Sequence, residues 1–260
     1  MRILMLGDIV GRPGREIVKE ILPQIDIQYN PDLVIANGEN AAGGFGLSRA
    51  VAHELFNIGI GVLTSGNHIW DQKEIYDYLD DEPRVLRPAN YPPGVPGNSV
   101  YYAKVGSETV AVVNLIGRVF MGDYDCPFRS MDTILSQVRE QTNHIIVDFH
   151  AEATSEKLAF AWYVTSKVSA VVGTHTHVPT SDQRILPGKT AYTTDLGMCG
   201  PLDGILGVER ETVIKKFIYQ LPSRFSVAKG ATQMCGVLID LDRSGKAQKI
   251  SRIYYEKNIV

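Results

Sequence analysis

The sequence predicts an α/β fold in which two mixed β-sheets pack face to face, with helices outside both sheets. Two observations support this prediction. Up to Leu79, short apolar strands alternate with amphipathic helices, which is the pattern of right-handed βαβ units. Further along, apolar runs joined by short polar turns predict hairpins, so the sheets should be mixed rather than purely parallel.

Apolar runs bounded by turn residues predict the strands. The predicted strands cover residues 2–10, 32–37, 61–65, 100–104, 109–116, 144–149, 170–173, 190–194, 234–240 and 249–255. Two pairs of these runs are joined by turns at 105–108 and 242–245, and each pair should form a hairpin. Residues 83–97 and 117–129 are predicted to be loops.

Helical spacing of apolar residues predicts six helices. They cover residues 15–25, 49–58, 72–79, 131–141, 155–168 and 208–221. Ser48 is the predicted N-cap of the second helix. The last helix should bury Val213, Ile214, Phe217 and Ile218. No repeat, charge block or low-complexity linker interrupts the chain, so we expect a single domain over residues 1–260.

Composition excludes several classes of protein. The net charge is −3, from 26 basic and 29 acidic residues, and no basic stripe predicts an extended nucleic-acid surface. The three cysteines are odd in number and widely spaced, which favours a reducing compartment over a disulfide framework. No apolar stretch approaches the ~20 residues that a membrane span needs. We therefore expect a cytoplasmic protein, and a symmetric homo-oligomer would be typical of such enzymes.

Five short polar signatures follow predicted strands. They are Gly7-Asp8, Gly38-Glu39-Asn40, Gly66-Asn67-His68, Phe149-His150 and Gly173-Thr174-His175-Thr176-His177. Ligands of open α/β sheets bind beyond the carboxyl ends of the strands, so these five ends should converge on one crevice. Asp, Glu, Asn and His are ligands of divalent metals, and the set contains no thiolate.

Each acidic or amide residue also has an ordinary structural role open to it. Asp8 could cap the helix that begins near Arg15. Glu39 and Asn40 could be turn residues beside the neighbouring glycines. As part of a metal site, Glu39 could bridge two ions because each carboxylate oxygen can bind one of them.

The histidines carry similar alternatives. A lone histidine at a strand end, such as His68 or His150, is usually structural, although His68 is also suited to proton transfer near neutral pH. His175 and His177 would lie on the same side of an extended segment and could aim two imidazoles at neighbouring ions. Structural roles at all five strand ends would be a coincidence, so we predict one two-metal site.

Other site motifs are missing from the sequence. Gly43-Gly44-Phe45-Gly46 lacks the Gly-Lys-Ser/Thr ending of a P-loop, and Gly7 to Gly14 lacks the dinucleotide-binding spacing. The sequence contains neither the Gly-x-Ser-x-Gly elbow of serine hydrolases nor the His-Glu-x-x-His helix of zinc proteases.

On these blocks the chain resembles the calcineurin-like metallophosphoesterases, whose pattern includes Gly-Asn-His and His-x-His. Val10 stands where that superfamily has its first histidine, and Glu39 replaces the usual bridging aspartate. Both departures are similar to the YmdB-type branch, which opens Gly-Asp-Ile-Val-Gly and carries Gly-Glu-Asn and Gly-Thr-His-Thr-His.

This resemblance implies a dinuclear centre, with iron as the expected metal and manganese or zinc as alternatives. The first ion would take Asp8, Glu39, Asn40 and His177, with Asn40 in the place left by Val10. The second ion would take Glu39, Asn67, His150 and His175. His68 would be the general acid.

The predicted function is hydrolysis of a small phosphodiester or cyclic nucleotide, including 2′,3′-cyclic nucleotides. A hydroxide that bridges the two metals would attack phosphorus, and His68 would protonate the departing alkoxide. One alternative is a phosphomonoesterase or nucleotidase with the same centre. Another is a weakly catalytic regulatory metal-binding protein, which the intact His68 disfavours.

Overall fold

The computed structural model describes residues 1–258, which form twelve strands and six α-helices. The strands are β1 (Arg2–Ile9), β2 (Leu33–Asn37), β3 (Val62–Thr64), β4 (Val100–Val105), β5 (Glu108–Ile116), β6 (His144–His150), β7 (Ala170–Thr174), β8 (Arg184–Leu186), β9 (Thr190–Thr193), β10 (Met198–Pro201), β11 (Thr232–Leu241) and β12 (Ala247–Lys257). The helices are α1 (Gly11–Tyr29), α2 (Arg49–Asn57), α3 (Ile75–Asp81), α4 (Pro127–Val138), α5 (Thr154–Val164) and α6 (Arg210–Tyr219).

The strands form two six-stranded mixed sheets. The first sheet has the order β12-β11-β10-β1-β2-β3, and the second has the order β4-β5-β6-β7-β9-β8. In the first sheet β1 runs parallel to β2 and β10 but antiparallel to β11. In the second sheet β6 is parallel to β5 and β7, while β4 and β8 are antiparallel edge strands. The predicted fold class is confirmed.

Alternation along the strands builds a four-layer sandwich. Ile3 and Met5 of β1 face the second sheet and pack in the core between the sheets. Leu4 and Leu6 point the other way, into a core beneath α1, α2 and α3. A third core joins the outer face of the second sheet to α4 and α5. The two sheets therefore share an apolar interface that fixes how their strand ends face each other.

The N-terminal helices show where local signals decided the structure. The backbone N–H of Val51 donates to Ser48 Oγ at 3.2 Å, so the predicted N-cap is present. Helix α1 begins at Gly11 rather than Arg15, because Pro13 lies in the first turn, where a missing N–H is tolerated. Gly14 is also required there, since a Cβ would lie 2.2 Å from the Cys199 carbonyl oxygen.

Two predictions about the C-terminal half need correction. Strands β8 and β10 were not predicted, because they are only three and four residues long and depend on partners elsewhere in the chain. The predicted burial of Ile214, Phe217 and Ile218 in α6 is wrong: Phe217 is 72% exposed, and only Val213 of that apolar stripe is buried. Periodicity identifies an apolar helix face but does not show whether another element covers it.

Among the described residues, none of the helices combines the length and apolar character needed to cross a membrane.

Candidate metal centre

The carboxyl ends of strands from both sheets meet at one crevice. Asp8 lies near the end of β1, and Glu39 follows β2 by two residues. His150 is the last residue of β6, and His175 directly follows β7. Asp8, Glu39 and His150 are completely or almost completely buried, so the charged groups belong to the interior of the fold.

Three predicted ligands surround Nε2 of a fourth, His150. Glu39 Oε1 lies 3.0 Å from it, Asn67 Oδ1 lies 3.1 Å from it, and His175 Nδ1 lies 3.0 Å from it. Glu39 and Asn67 follow strands of the first sheet, while the two histidines come from the second. These donor atoms are the set predicted for the second ion, and together they offer two oxygens and two nitrogens without a thiolate.

The remaining predicted ligands lie beside this group. Asp8 Oδ1 is 3.8 Å from His177 Nε2 and 4.0 Å from His150 Nδ1. Asp8 Oδ1 and Asn40 Oδ1 are buried without a hydrogen-bond partner among the described residues. The amide of Asn40 is oriented because its Nδ2 donates to the Gly44 carbonyl at 3.2 Å. A buried oxygen without a partner costs about 1–3 kcal/mol, and a cation would offset that cost.

The three histidines of the cluster share a second feature: one nitrogen of each ring points to the cluster, and an oxygen holds the other nitrogen. The partners are Thr174 Oγ1 for Nδ1 of His150 at 2.9 Å, Glu152 Oε2 for Nε2 of His175 at 3.1 Å, and the Leu206 carbonyl for Nδ1 of His177 at 3.0 Å. Metal-binding histidines usually donate their other N–H to such an oxygen, which fixes the tautomer and the ring orientation. The residues present therefore fit a metal centre.

The loop that carries His175 and His177 departs from the predicted geometry. Both residues have positive φ values, 102° and 64°, so the segment is a turn and not an extended strand. The expectation that the i, i+2 alternation of a strand would place them on one side is wrong. Their ring nitrogens nevertheless reach the cluster, because the turn directs His175 toward His150 and His177 toward Asp8.

A buried ion pair stabilises this turn. Lys157 Nζ lies 2.7 Å from Asp195 Oδ2, and each side chain is only 1% exposed. Lys157 also donates to the Thr174 carbonyl at 2.8 Å, and Asp195 accepts from the Thr176 backbone N–H at 3.1 Å. The pair therefore holds the backbone on both sides of His175.

Gly66 explains how His150 can lie so close to the Asn67 loop. A Cβ at Gly66 would lie 2.1 Å from Cδ2 of His150, well inside van der Waals contact. Only glycine leaves room for the imidazole at this position. The glycine of the Gly-Asn-His block is thus required by packing against the ring.

His68 lies at the wall of the crevice rather than inside the cluster. Its Nδ1 is 2.8 Å from Asp71 Oδ2, and its backbone N–H donates to Glu39 Oε2 at 3.0 Å. The imidazole is 31% exposed and packs in a T-shaped arrangement with the Phe45 ring. Asp71 leaves Nε2 as the ring nitrogen available to a bound molecule. Sequence reasoning missed Asp71, although its position three residues after His68 was a signal for this contact.

The pKa values of His150 and His175 shift in opposite directions. Burial lowers the pKa of His150, but the attraction and hydrogen bond of Glu39, together with the carboxylates of Asp8 and Asp148, raise that pKa to about 9. Burial, together with the positive charge of His150, lowers the pKa of His175 to about 3. Burial would raise the pKa of Glu39, yet the attraction and hydrogen bond of His150 lower it to about 2. Glu39 is thus a carboxylate despite its burial.

The crevice above these groups has a volume of about 230 Å³. Its lining includes the polar side chains of His68, His175 and His177 and the apolar side chains of Val10 and Val227. Val10, which stands in the place of the superfamily's first histidine, contributes only a hydrocarbon surface. The space admits a small molecule.

A sequence comparison decides the family. The family model described as YmdB-like protein matches residues 4–253 of this chain. The chain belongs to the YmdB-like family. The inferred resemblance to the YmdB-type branch is thereby confirmed.

Three relatives of this YmdB-like chain cover nearly its whole length. A 2′,3′-cyclic-nucleotide 2′-phosphodiesterase of Bacillus subtilis (strain 168) is 53% identical over 254 residues, which are 97% of this chain and 96% of the relative. A hypothetical protein from Thermus thermophilus has a crystal structure with a TM-score of 0.93 and 43% identity, over 99% of this chain and 100% of that one. A structure described as a novel phosphatase from Mycoplasma pneumoniae gives a TM-score of 0.94 at 33% identity, over 99% and 94% of the two chains.

Proposed function

We propose that this YmdB-like protein is a metal-dependent phosphodiesterase that hydrolyses small phosphodiesters, including 2′,3′-cyclic nucleotides. The observation that carries the proposal is the orientation of three histidines. Each presents one nitrogen to a cluster of carboxylate and amide oxygens, while an oxygen holds its other nitrogen. The Bacillus subtilis relative, at 53% identity, supports the choice of a cyclic phosphodiester as the substrate.

Two ions would be held by the two neighbouring groups of donors. Asp8, Asn40 and His177 would hold one ion, and Asn67, His150 and His175 would hold the other, with Glu39 shared between them. When bound, such ions neutralise phosphoryl oxygens and lower the pKa of water from 15.7 to about 7. Oxygen and imidazole donors suit iron, manganese and zinc, and the family resemblance favours iron.

The protein side chains supply the proton that the leaving group needs. Asp71 holds Nδ1 of His68 at 2.8 Å, so a protonated His68 can donate from Nε2 to the departing alkoxide. The P–O bond to that oxygen breaks while water supplies the new oxygen on phosphorus. For a 2′,3′-cyclic nucleotide, the single product is a nucleoside monophosphate in which one ribose hydroxyl has been freed.

The shape of the crevice favours a compact substrate. Its lining includes polar side chains of the cluster and the apolar side chains of Val10 and Val227, so a phosphoryl group and a less polar group could be bound together. A volume of about 230 Å³ is small for a ligand pocket, which suits a cyclic mononucleotide better than a polymer.

The test pairs metal analysis with a panel of phosphoesters. Protein prepared under reducing, anaerobic conditions should hydrolyse 2′,3′-cyclic nucleotides and a simple diester much faster than the matching monoesters. Faster monoester turnover would instead indicate a phosphomonoesterase or nucleotidase. No turnover of either class by metal-loaded protein would contradict the proposal and favour a regulatory metal-binding role.

A further inference from the structure

The far nitrogen of His150 is connected to a buried hydrogen-bond chain that ends at Asp148. Thr174 Oγ1 lies 2.9 Å from His150 Nδ1 and donates to Asp148 Oδ1 at 2.7 Å. Thr64 Oγ1 donates to the other carboxylate oxygen at 2.5 Å. All four side chains are fully buried, so water does not compete for these bonds. A hydroxyl has a single proton, and Thr174 gives it to Asp148, so its oxygen accepts from the N–H of His150.

Asn37 provides a competing donor to the same nitrogen. Its Nδ2 lies 3.3 Å from Nδ1 of His150, and its Oδ1 accepts from the Glu39 backbone N–H, which fixes the orientation of the amide. A bond from Asn37 would require Nδ1 without a proton and would place the proton on Nε2, where it blocks metal binding. The contact with Thr174 is the shorter of the two, at 2.9 against 3.3 Å, and only the shorter one lies in the usual hydrogen-bond range.

We infer that Asp148, acting through Thr174, is a positioning residue that holds the proton of His150 on Nδ1 and leaves Nε2 free to bind a metal ion. The inference rests on the proposed metal-dependent function, but it concerns residues that touch neither metal nor substrate. In metal sites generally, loss of a residue that hydrogen-bonds to a metal ligand costs about 10–100-fold in metal affinity or activity. Loss of the Asp148–Thr174 chain should have an effect of about that size.

Thr174→Val and Thr174→Ser separate the hydroxyl from the packing. Valine keeps the shape of threonine but cannot accept from His150, so zinc affinity should fall about 10–100-fold. Serine keeps the hydroxyl and should retain affinity close to that of the unchanged protein. Thr190→Val is the matched control, because Thr190, like Thr174, is a buried strand threonine. Its hydroxyl lies away from the site and donates to the backbone carbonyl of Val168.

Asp148→Asn tests the same hydrogen-bond chain from the end opposite to His150. Thr64 and Asn37 both point donors at Oδ2, so the carbonyl of the new amide should take that place and its NH₂ should face Thr174. Thr174 would then accept from this NH₂ and donate to Nδ1 of His150, which reverses the chain and selects the wrong tautomer. Zinc affinity should fall as it does in Thr174→Val, although the volume of the side chain is almost unchanged.

Zinc is the probe: its affinity for the metal-free protein is measured by competition with a chelating dye. Circular dichroism establishes folding. Long-range ¹H–¹⁵N spectra of the zinc-loaded protein should show the His150 proton on Nδ1. Unchanged affinity in a folded Thr174→Val or Asp148→Asn variant would overturn the inference, as would an equal loss in Thr190→Val. If Thr174→Val does not fold, Asp148→Asn decides. An unmodified protein that binds no zinc would refute the proposed function as well.

Discussion

Oε1 of Glu39 lies 3.0 Å from Nε2 of His150, and this contact joins the two sheets at the crevice. Glu39 follows β2 of the first sheet, whereas His150 ends β6 of the second. The site can therefore form only when the sheets pack face to face through the core that includes Ile3 and Met5. This dependence links the stability of the sandwich directly to the geometry of the proposed metal centre.

Glu39→Gln should abolish the sharing of one carboxylate by two ions. Glutamine keeps the size of the side chain but carries no charge, and it leaves His150 without its buried anionic partner. Metal affinity should fall by more than the ~10–100-fold that is typical of losing a residue that only hydrogen-bonds to a metal ligand. The measurement is a metal titration of the purified variant, followed by elemental analysis.

Glu54→Gln is the matched control for that experiment. Glu54 also forms an ion pair, with Arg15 at 2.8 Å, but it is 42% exposed and lies outside the cluster. Its replacement should leave metal content unchanged. Two tightly bound ions in Glu39→Gln would contradict the role assigned to Glu39.

His68→Ala should keep both ions and lose turnover. Removing a general acid costs about 10²–10⁴-fold when the leaving group is a poor one. The loss should be much smaller with a nitrophenyl diester, because that leaving group departs without a proton. Steady-state rates on the two substrates test this difference, and His53→Ala, on the exposed face of α2, serves as control. Equal turnover on the poor leaving group would remove His68 from the role.

Gly66→Ala should displace the His150 ring. The added Cβ would lie 2.1 Å from Cδ2, so the ring or the Asn67 loop must move. Overpacking of this kind costs about 1–3 kcal/mol in stability. We expect a lower unfolding midpoint together with weaker metal binding. Gly122→Ala, whose Cβ would lie 3.1 Å from the side chain of Tyr124, should leave metal binding unchanged, and unchanged metal binding in Gly66→Ala would contradict the packing role.

Lys157→Met should destabilise the turn that carries His175 and His177. The substitution leaves Asp195 buried without a cation, and breaking a buried pair in this way costs about 3–5 kcal/mol. Urea unfolding measures the loss. Arg49→Met breaks an exposed pair with Asp81 and should cost no more than about 1 kcal/mol. Equal stability of the two variants would show that the buried pair does not hold the turn.

The strand-end residues could be predicted because their position depends on a general property of the fold. Carboxyl ends of parallel strands share one edge of a sheet, so Asp8 and Glu39 had to be near each other once their strands were identified. The same rule placed His150 beside His175. This rule could not predict the contact between the two sheets, because that contact depends on how their apolar faces pack.

Other parts of the site were beyond the reach of sequence patterns. Asp148 and Thr174 lie within or beside predicted strands, where a buried polar residue gives no local signal of its partner. The turn at His175 and His177 is held by the Lys157–Asp195 pair, whose members are 38 residues apart. Strand β10, with the sequence Met-Cys-Gly-Pro, forms because β1 and β11 supply its partners, not because its own residues favour a strand.

The central claim is that two metal ions bind this cluster and support diester hydrolysis. Elemental analysis of anaerobically prepared protein, with turnover of a 2′,3′-cyclic nucleotide measured before and after chelation, tests it most directly. We predict two ions per chain, loss of turnover on chelation, and recovery on reloading with the same metal. Full turnover by protein that holds no metal would contradict the account.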